Sequence, residues 1–174
     1  TFASALTTAI EMANNAYQRD GGLSGVATAL KALDAKLGGL QPSDLIILAG
    51  RPSMGKTALA TNIAYNIARA RARSLKERPD LSSDDAAHDG AVVGFFSLEM
   101  SAEQLATRIM SERAGIPSEK IRRGMIDEAE FKRLVEASQE MASLPLFIDQ
   151  TGGISIAQLA ARARRLKRQQ ALGL

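Results

Sequence analysis

LAGRPSMGKTALA, residues 48–60, holds a glycine, four variable positions and then Gly-Lys-Thr, which fits the pattern G-x-x-x-x-G-K-[S/T]. The stretch follows an unbroken apolar run, Leu45 to Ala49, and opens an alanine-rich segment. An apolar run of this length predicts a strand buried on both faces of a parallel sheet. A strand, a glycine-rich loop and a helix in this order predict a phosphate-binding loop, here called the P-loop (residues 50–57).

Each constrained position of the P-loop has a chemical reason. Glycines at positions 50 and 55 permit the backbone to turn its N–H groups toward a phosphate and to approach it closely. The helix expected from Lys56 adds free N–H groups and its dipole. We expect Lys56 to contact the β- and γ-phosphates and Thr57 to give a hydroxyl ligand to Mg²⁺. The expected binding residues are Gly50, Arg51, Pro52, Ser53, Met54, Gly55, Lys56, Thr57 and Ala58.

The alternative interpretation of these residues is a glycine-rich turn that carries an incidental lysine. It is disfavoured because the motif follows an apolar strand and opens a helix, as phosphate binding requires.

Composition limits the classes of protein to which this 174-residue chain can belong. Its hydrophobic fraction of 45% and charged fraction of 24% are those of a globular domain with a buried core. The absence of cysteine excludes disulfide bonds and thiolate metal sites. No apolar run approaches the roughly 18 residues of a membrane span and no signal-peptide pattern opens the chain, so we expect a cytoplasmic protein without a membrane partner. Because the first residue is Thr1, we also expect a fragment.

Apolar runs and helical periodicity alternate along the chain. Strands are expected at 45–49, 91–96 and 146–149. Helices are expected at 2–19, 27–36, 56–74, 101–113, from Pro117, at 128–141 and at 155–170. A capping box at Ser101–Gln104 opens the fourth of these helices, and the glycines of 21–25 form a possible hinge after the first. This alternation predicts an α/β fold with a mostly parallel sheet.

Two acidic residues lie at or just after the carboxyl ends of predicted strands, where ligands of open α/β sheets gather. Glu99 follows the strand at 91–96 and could orient the attacking water of a hydrolysis reaction. From spacing alone, a surface glutamate is an equally good interpretation. Asp149 ends the run LFID, which is typical of the second, Mg²⁺-holding acid of such sites (the Walker B acid), or of an aspartate that merely ends a strand.

The chain resembles the DnaB-type bacterial replicative DNA helicases. The resemblance rests on Leu33-Asp34, on GGLQP at 38–42, on DL at 44–45, on GRPSMGKT at 50–57 and on FFSLEMS at 95–101. It covers nearly the whole chain. It implies a P-loop NTPase with a RecA-like parallel sheet flanked by helices, present in part, and ATP-driven unwinding of duplex DNA by a ring-shaped homo-hexamer.

The same resemblance implies roles for single residues. Lys56 and Thr57 would serve phosphate and Mg²⁺, and Glu99 would be the catalytic glutamate. Asp149 would end an ordinary strand, since the family's Walker B strand follows a helix like 155–170 and a Gly-Leu like that at 173–174. The family often has glycine at the position of Ala29, and we expect no mechanistic consequence from this departure.

The resemblance also implies an organisation and a set of partners. Residues 1–20 would be a linker helix that docks on a neighbouring subunit, with packing on its own domain as the alternative, and residues 21–174 would be the N-terminal half of a RecA-like ATPase domain. The Walker B acid, the arginine finger and the DNA-contacting loops are expected after Leu174. The implied cofactors are ATP and Mg²⁺, and the implied partners are single-stranded DNA, the other subunits of the hexamer, primase and a helicase loader.

Two other functions stay open from the sequence. The chain by itself could be a nucleotide-binding and oligomer-forming piece without catalysis. A RecA-like repair or recombination ATPase would share the P-loop but fits FFSLEMS poorly. Five cations of the last helix could contact DNA phosphates, although a solvated face is the commoner explanation. They are Arg162, Arg164, Arg165, Lys167 and Arg168. We interpret His88, in an acidic polar stretch, as a solvated loop residue.

Overall fold

The computed structural model of the protein describes residues 2–18, 23–79 and 90–171. The interpretations of His88 and its acidic stretch, of residues 19–22 and of Gly173-Leu174 lie outside these ranges. Within them the chain forms seven α-helices and two β-strands. The helices are α1 (Phe2–Gln18), α2 (Lys31–Leu37), α3 (Lys56–Glu77), α4 (Ala102–Ala114), α5 (Ser118–Arg122), α6 (Glu128–Ala142) and α7 (Ile156–Ala171), and the strands are β1 (Val93–Phe96) and β2 (Leu146–Asp149).

The sheet consists of β1 and β2, which pair in parallel with Val93 opposite Leu146 and Phe96 opposite Asp149. The crossover between them contains α4, α5 and α6, as a parallel connection requires. The ladder continues one residue past β1, where the Ser97 N–H donates to the Asp149 carbonyl oxygen at 2.8 Å. The carboxyl ends of both strands therefore meet at one edge of the sheet, and the residues that follow each strand are neighbours.

The prediction of a buried strand at Leu45–Ala49 is wrong for the described structure. These residues pair with neither strand, and the side chains of Leu45 and Ile47 are 87% and 79% exposed. An apolar run indicates a tendency to be buried, but a strand also needs a hydrogen-bonded neighbour. Within the described residues β1 and β2 pair with each other, and neither pairs with this run.

The core lies where α3 packs against α4, and α4 against α6. Small residues on the inner face of α3 let the helices approach closely. Leu105 of α4 is fully buried, which contributes about 1.5–3 kcal/mol relative to an exposed leucine. The buried apolar side chains are Ala64, Tyr65, Ile67, Ala68, Leu105, Ile109, Ile116, Leu134 and Ala137. This core fixes the direction of α3, whose first turn follows the P-loop.

Capping boxes begin α4 and α6, the two crossover helices that pack against each other. The predicted box is confirmed at α4, where the Ser101 hydroxyl accepts from the Gln104 N–H and the Gln104 side chain accepts from the Ser101 N–H. A second box, Asp127 with Glu130, begins α6. Two N–H groups that lack partners inside the helix are satisfied in each case, so the start of each helix is set by local sequence.

The segment before the P-loop differs from its prediction, since α2 begins at Lys31 rather than at residue 27. The Thr28 N–H and hydroxyl both donate to Asp34 Oδ1, at 2.8 and 2.7 Å, and Thr28 is fully buried. Ala29 has a φ of 63°, which a right-handed helix excludes. This conformation gives a physical reason for glycine at that position, because an L-residue pays about 1–2 kcal/mol there.

Helix α1 forms where the periodicity predicts it, and one face exposes apolar side chains. Phe2, Leu6 and Ile10 are 80%, 51% and 69% exposed. The division of the chain into a linker helix at 1–20 and an ATPase part at 21–174 stays a prediction. Of the helices that the structure describes, none has the length and apolar character to cross a bilayer.

Candidate nucleotide-binding site

The P-loop leads directly into the N-terminus of α3. Gly55 caps the helix with a φ of 84°, in the left-handed region where glycine is favoured, and its carbonyl oxygen accepts from the Leu59 N–H at 2.9 Å. Ser53 also has a positive φ, 63°. Among the residues that the structure describes, no side chain caps α3, and the first turn of the helix contains no acidic residue, so its N–H groups and dipole are available to an anion.

Lys56 folds back over the P-loop. Its Nζ donates to the carbonyl oxygens of Gly50 and Arg51, at 2.9 and 3.0 Å. A Cβ built at Gly50 would lie 3.6 Å from Cγ of Lys56, which is an ordinary van der Waals distance. The ammonium group is thus held at the loop by neutral acceptors. Phosphate oxygens would be stronger partners for it, because hydrogen bonds between two charged groups are shorter and stronger.

A cavity of about 320 Å³ joins the start of α3 to the end of β1. Lys56, Thr57 and Glu99 all line it, although Glu99 is more than 40 residues away in the sequence. The rest of its lining is Leu48, Ala60, Phe95, Phe96, Ser97, Leu98 and Met100. The structure therefore places the three residues proposed for catalysis at one cavity. The remaining predicted binding residues are Gly50 to Gly55, which form the loop itself, and Ala58, in the first turn of α3.

Glu99 lies in a tight turn, residues 97–100, between β1 and α4, here called the Glu99 turn. Ser97 is 8% exposed, and its hydroxyl donates to the Met100 carbonyl oxygen at 2.6 Å and accepts from the Met100 N–H at 3.2 Å. These two bonds close the turn. The Glu99 side chain is exposed, and in the described part of the chain no hydrogen bond or ion pair holds its carboxylate. The carboxylate is thus accessible to a water molecule in the cavity.

Asp149 has a different environment. Its carboxylate accepts from Arg162 Nη1 of α7 at 2.5 Å and from the Thr151 N–H at 3.0 Å. The hydrogen bond from Arg162, followed by those from Thr151, lowers the pKa of Asp149 from 3.8 to about 2. Asp149 does not line the cavity. The contacts favour the interpretation that it ends a strand and fastens α7 to the sheet.

The oxygen donors at the cavity suit a magnesium–nucleotide complex. Mg²⁺ is usually bound by one or two protein oxygens together with phosphates and water. Thr57 offers such an oxygen. Across residues 2–18, 23–79 and 90–171, no group of three or more His, Asp or Glu side chains could hold a metal ion alone. A cation at this cavity would thus depend on the phosphates of a ligand.

Sequence reasoning missed two residues beside Glu99. Ser97 lies in the FFSLEMS stretch, and its position directly after a strand is the signal that could identify it, because a serine there is typical of a side-chain-closed turn. Gln150 was not singled out, and its side chain bonds the first residue of α4 across 48 positions of sequence. No local pattern indicates a contact of that separation.

The basic helix α7 is fastened to the sheet on one side and exposed on the other. Arg162 bonds Asp149 and Thr151, and Leu166 packs on Gly94 so closely that an added Cβ would lie 2.9 Å from its Cδ2. The other four cations, Arg164, Arg165, Lys167 and Arg168, are exposed. Their interpretation as a solvated face or as phosphate contacts stays open.

The sequence is similar to one family of known proteins. A family model described as the DnaB-like helicase C terminal domain matches residues 25–174. The chain is 44% identical over 162 residues to the replicative DNA helicase DnaB of Rickettsia typhi, covering 92% of this chain and 31% of that protein. It is 35% identical over 158 residues to the replicative DNA helicase DnaC of Bacillus subtilis, covering 91% and 31%. The chain thus spans about a third of the length of these relatives.

Solved structures resemble the described fold. A solved ATPase domain matches with a TM-score of 0.77 and 27% identity, over 97% of this chain and 52% of the other. A DnaB-like replicative helicase, reported with its interactions with primase, matches with a TM-score of 0.73 and 27% identity, over 97% and 36%. The expected RecA-like α/β fold is confirmed by this likeness.

Proposed function

The chain belongs to the DnaB-like helicase C-terminal domain family, and from that premise we propose that it is the nucleotide-binding part of the motor of a replicative DNA helicase. One observation carries the proposal: Lys56, Thr57 and Glu99 line a single cavity between the P-loop and the end of β1. The loop provides the groups that bind an anion, and the strand end provides an accessible carboxylate. Nucleotide hydrolysis needs both.

The chemistry assigned to the cavity is hydrolysis of ATP. The N–H groups at the start of α3 and the Lys56 ammonium bind the β- and γ-phosphates. Thr57 would hold Mg²⁺, which when bound would neutralise charge that develops on the phosphate oxygens. Glu99 orients a water molecule and accepts its proton as the water oxygen bonds to the γ-phosphorus. The bond from that phosphorus to the bridging oxygen breaks, and ADP and phosphate leave.

Unwinding belongs to the longer protein of which this chain would be one part, because the chain spans about a third of its relatives. We assign that protein to a homo-hexameric ring that moves on single-stranded DNA in the cytoplasm. Helix α1 would be the linker that docks on a neighbouring subunit, since its apolar face at Phe2, Leu6 and Ile10 is exposed. Primase is a further partner to test, as a relative with a similar fold interacts with primase, and a helicase loader is another.

The sharpest test of the proposal is Lys56→Ala in the full-length helicase. We expect kcat/KM for ATP to fall by about 100-fold or more, because a cation that stabilises the transferring phosphoryl group is lost. Unwinding of a forked duplex should stop with it. Lys76→Ala is a matched control, since Lys76 is an exposed lysine in the last turn of the same helix. Unwinding that survives Lys56→Ala would exclude the P-loop as the energy source.

The 174 residues alone favour a more limited activity. Glu99 is the carboxylate that lines the cavity in the described part of the chain, and no second acid stands beside Thr57 there. We therefore assign nucleotide binding to this segment when isolated, with turnover restricted to the complete assembly.

A further inference from the structure

The first residue after β2 reaches across to the start of α4. Gln150 Oε1 accepts a hydrogen bond from the Ala102 N–H at 2.5 Å, and Ala102 is the first residue of that helix. The capping box of α4 uses the N–H groups of Ser101 and Gln104 and leaves the Ala102 N–H without a local acceptor. Gln150 thus satisfies a helix N–H group that the local sequence leaves free.

The bond lies next to the Glu99 turn. On the strand side, Ser97 closes the turn through its two bonds to Met100. On the helix side, the N–H that Gln150 binds belongs to Ala102, two positions after Met100, the last residue of the turn. The main chain that carries Glu99 is therefore fixed before it by Ser97 and after it by Gln150.

The residues on both sides of Gln150 are hydrogen-bonded through their side chains to α7. Arg162 of α7 bonds Asp149, which precedes Gln150, and also bonds Thr151, which follows it. The Gln150 side chain is exposed, so its substitution leaves the core unchanged. Gln150 is thus a hydrogen-bond acceptor at the edge of the sheet and does not contribute to the packing of the core.

We propose that Gln150 is a positioning residue that sets the place of the Glu99 carboxylate at the cavity. The inference rests on the proposed function. Gln150 does not line the cavity, and in the described part of the chain no hydrogen bond joins it to the P-loop, so it acts on the placement of Glu99 and not on nucleotide binding. A misplacement of about 1 Å in a catalytic group is enough to cost about 100-fold in rate.

The test compares Gln150→Leu with Gln150→Glu in the full-length helicase. Leucine has a similar size and no acceptor, whereas glutamate keeps an oxygen that accepts from the Ala102 N–H and suits a helix N-terminus. We expect Gln150→Leu to lower kcat for ATP by about 10- to 100-fold with the KM and the affinity for ADP unchanged. Gln150→Glu should keep kcat within about threefold of the parent value, which is a much smaller loss than the one expected for Gln150→Leu. Gln139→Leu, an exposed glutamine of α6, is the matched control.

The outcomes separate this inference from the function on which it rests. If Lys56→Ala and Glu99→Gln abolish turnover while Gln150→Leu keeps full kcat, the function stands and the positioning role is wrong. If Gln150→Glu is as impaired as Gln150→Leu, or if both lose affinity for ADP, Gln150 has a general structural role and the inference is overturned. A parent protein that binds ADP but never hydrolyses ATP overturns both.

Discussion

The two walls of the nucleotide cavity are built in different ways. The P-loop wall comes from consecutive residues, and its contacts are local: Lys56 bonds Gly50 and Arg51, and Gly55 caps the helix that follows. The Glu99 wall is assembled from the end of β1, the start of α4 and the residue after β2, with one bond spanning 48 positions. The first wall is defined by a short motif, whereas the second exists only after the sheet has formed.

This difference divides the chemistry of the site. The P-loop wall offers helix N–H groups and the Lys56 cation, which bind the phosphates, and the cation also stabilises the transferring phosphoryl group in the transition state. The Glu99 wall offers a carboxylate that acts on the water in the reaction itself. A variant of the first wall should thus change nucleotide affinity as well as turnover, whereas a variant of the second should change turnover alone.

The largest expected effect comes from Glu99→Gln in the full-length helicase. The amide keeps the size of the side chain but cannot accept the proton, so kcat should fall by about 10²–10⁴-fold, the usual range for a general base. Affinity for ADP, measured by fluorescence titration, should stay at the parent value. Glu136→Gln, an exposed glutamate on α6, provides the control. A loss of ADP affinity equal to that of Lys56→Ala would contradict the division between the walls.

Gly55→Ala tests the P-loop wall with a smaller effect. An alanine at φ 84° is strained, although an added Cβ would meet no atom within 4 Å. We expect the free energy of unfolding in urea to fall by about 1–2 kcal/mol, from the cost of the left-handed conformation. Gly152→Ala is the matched control, because its Cβ also meets no atom within 4 Å and its φ is not positive. Equal unfolding free energies for the two variants would contradict this prediction, because they would show that the loop avoids the strain at position 55 by adopting another conformation.

The same contrast explains how much of the structure could be predicted from the sequence. The start of α3 after the P-loop and the capping box of α4 depend on neighbours in sequence, so motif spacing and capping rules predict them. The bounds of β2 match its apolar run, and this strand has a partner in β1. The strand expected at 45–49 depends on a partner strand, which an apolar run does not specify. The role of Gln150 depends on where β2 ends relative to α4. The position of Glu99 at the cavity was expected only because a resemblance supplied it, since spacing alone left a surface glutamate equally acceptable.

The smallest expected effect concerns the ion pair between Arg162 of α7 and Asp149 at the end of β2. The pKa of Asp149 is about 2 in the folded protein and 3.8 in an ordinary environment, so the folded state favours the ionised form. The stability that the Arg162 contact contributes is therefore fully present above about pH 3.8 and is lost as the pH falls to about 2. In Asp149→Asn this contribution is missing at every pH.

Thermal melts of the parent and of Asp149→Asn between pH 6 and pH 2 measure this effect. Other acids titrate in both proteins, so the difference between the two melting temperatures isolates Asp149. That difference should be constant near pH 6 and shrink toward zero between about pH 4 and pH 2, because the parent carboxylate gains its proton there. A difference that does not change with pH would mean that the Arg162 contact acts through packing alone. The position of Gln150 would then not depend on the charge of Asp149 at the end of β2.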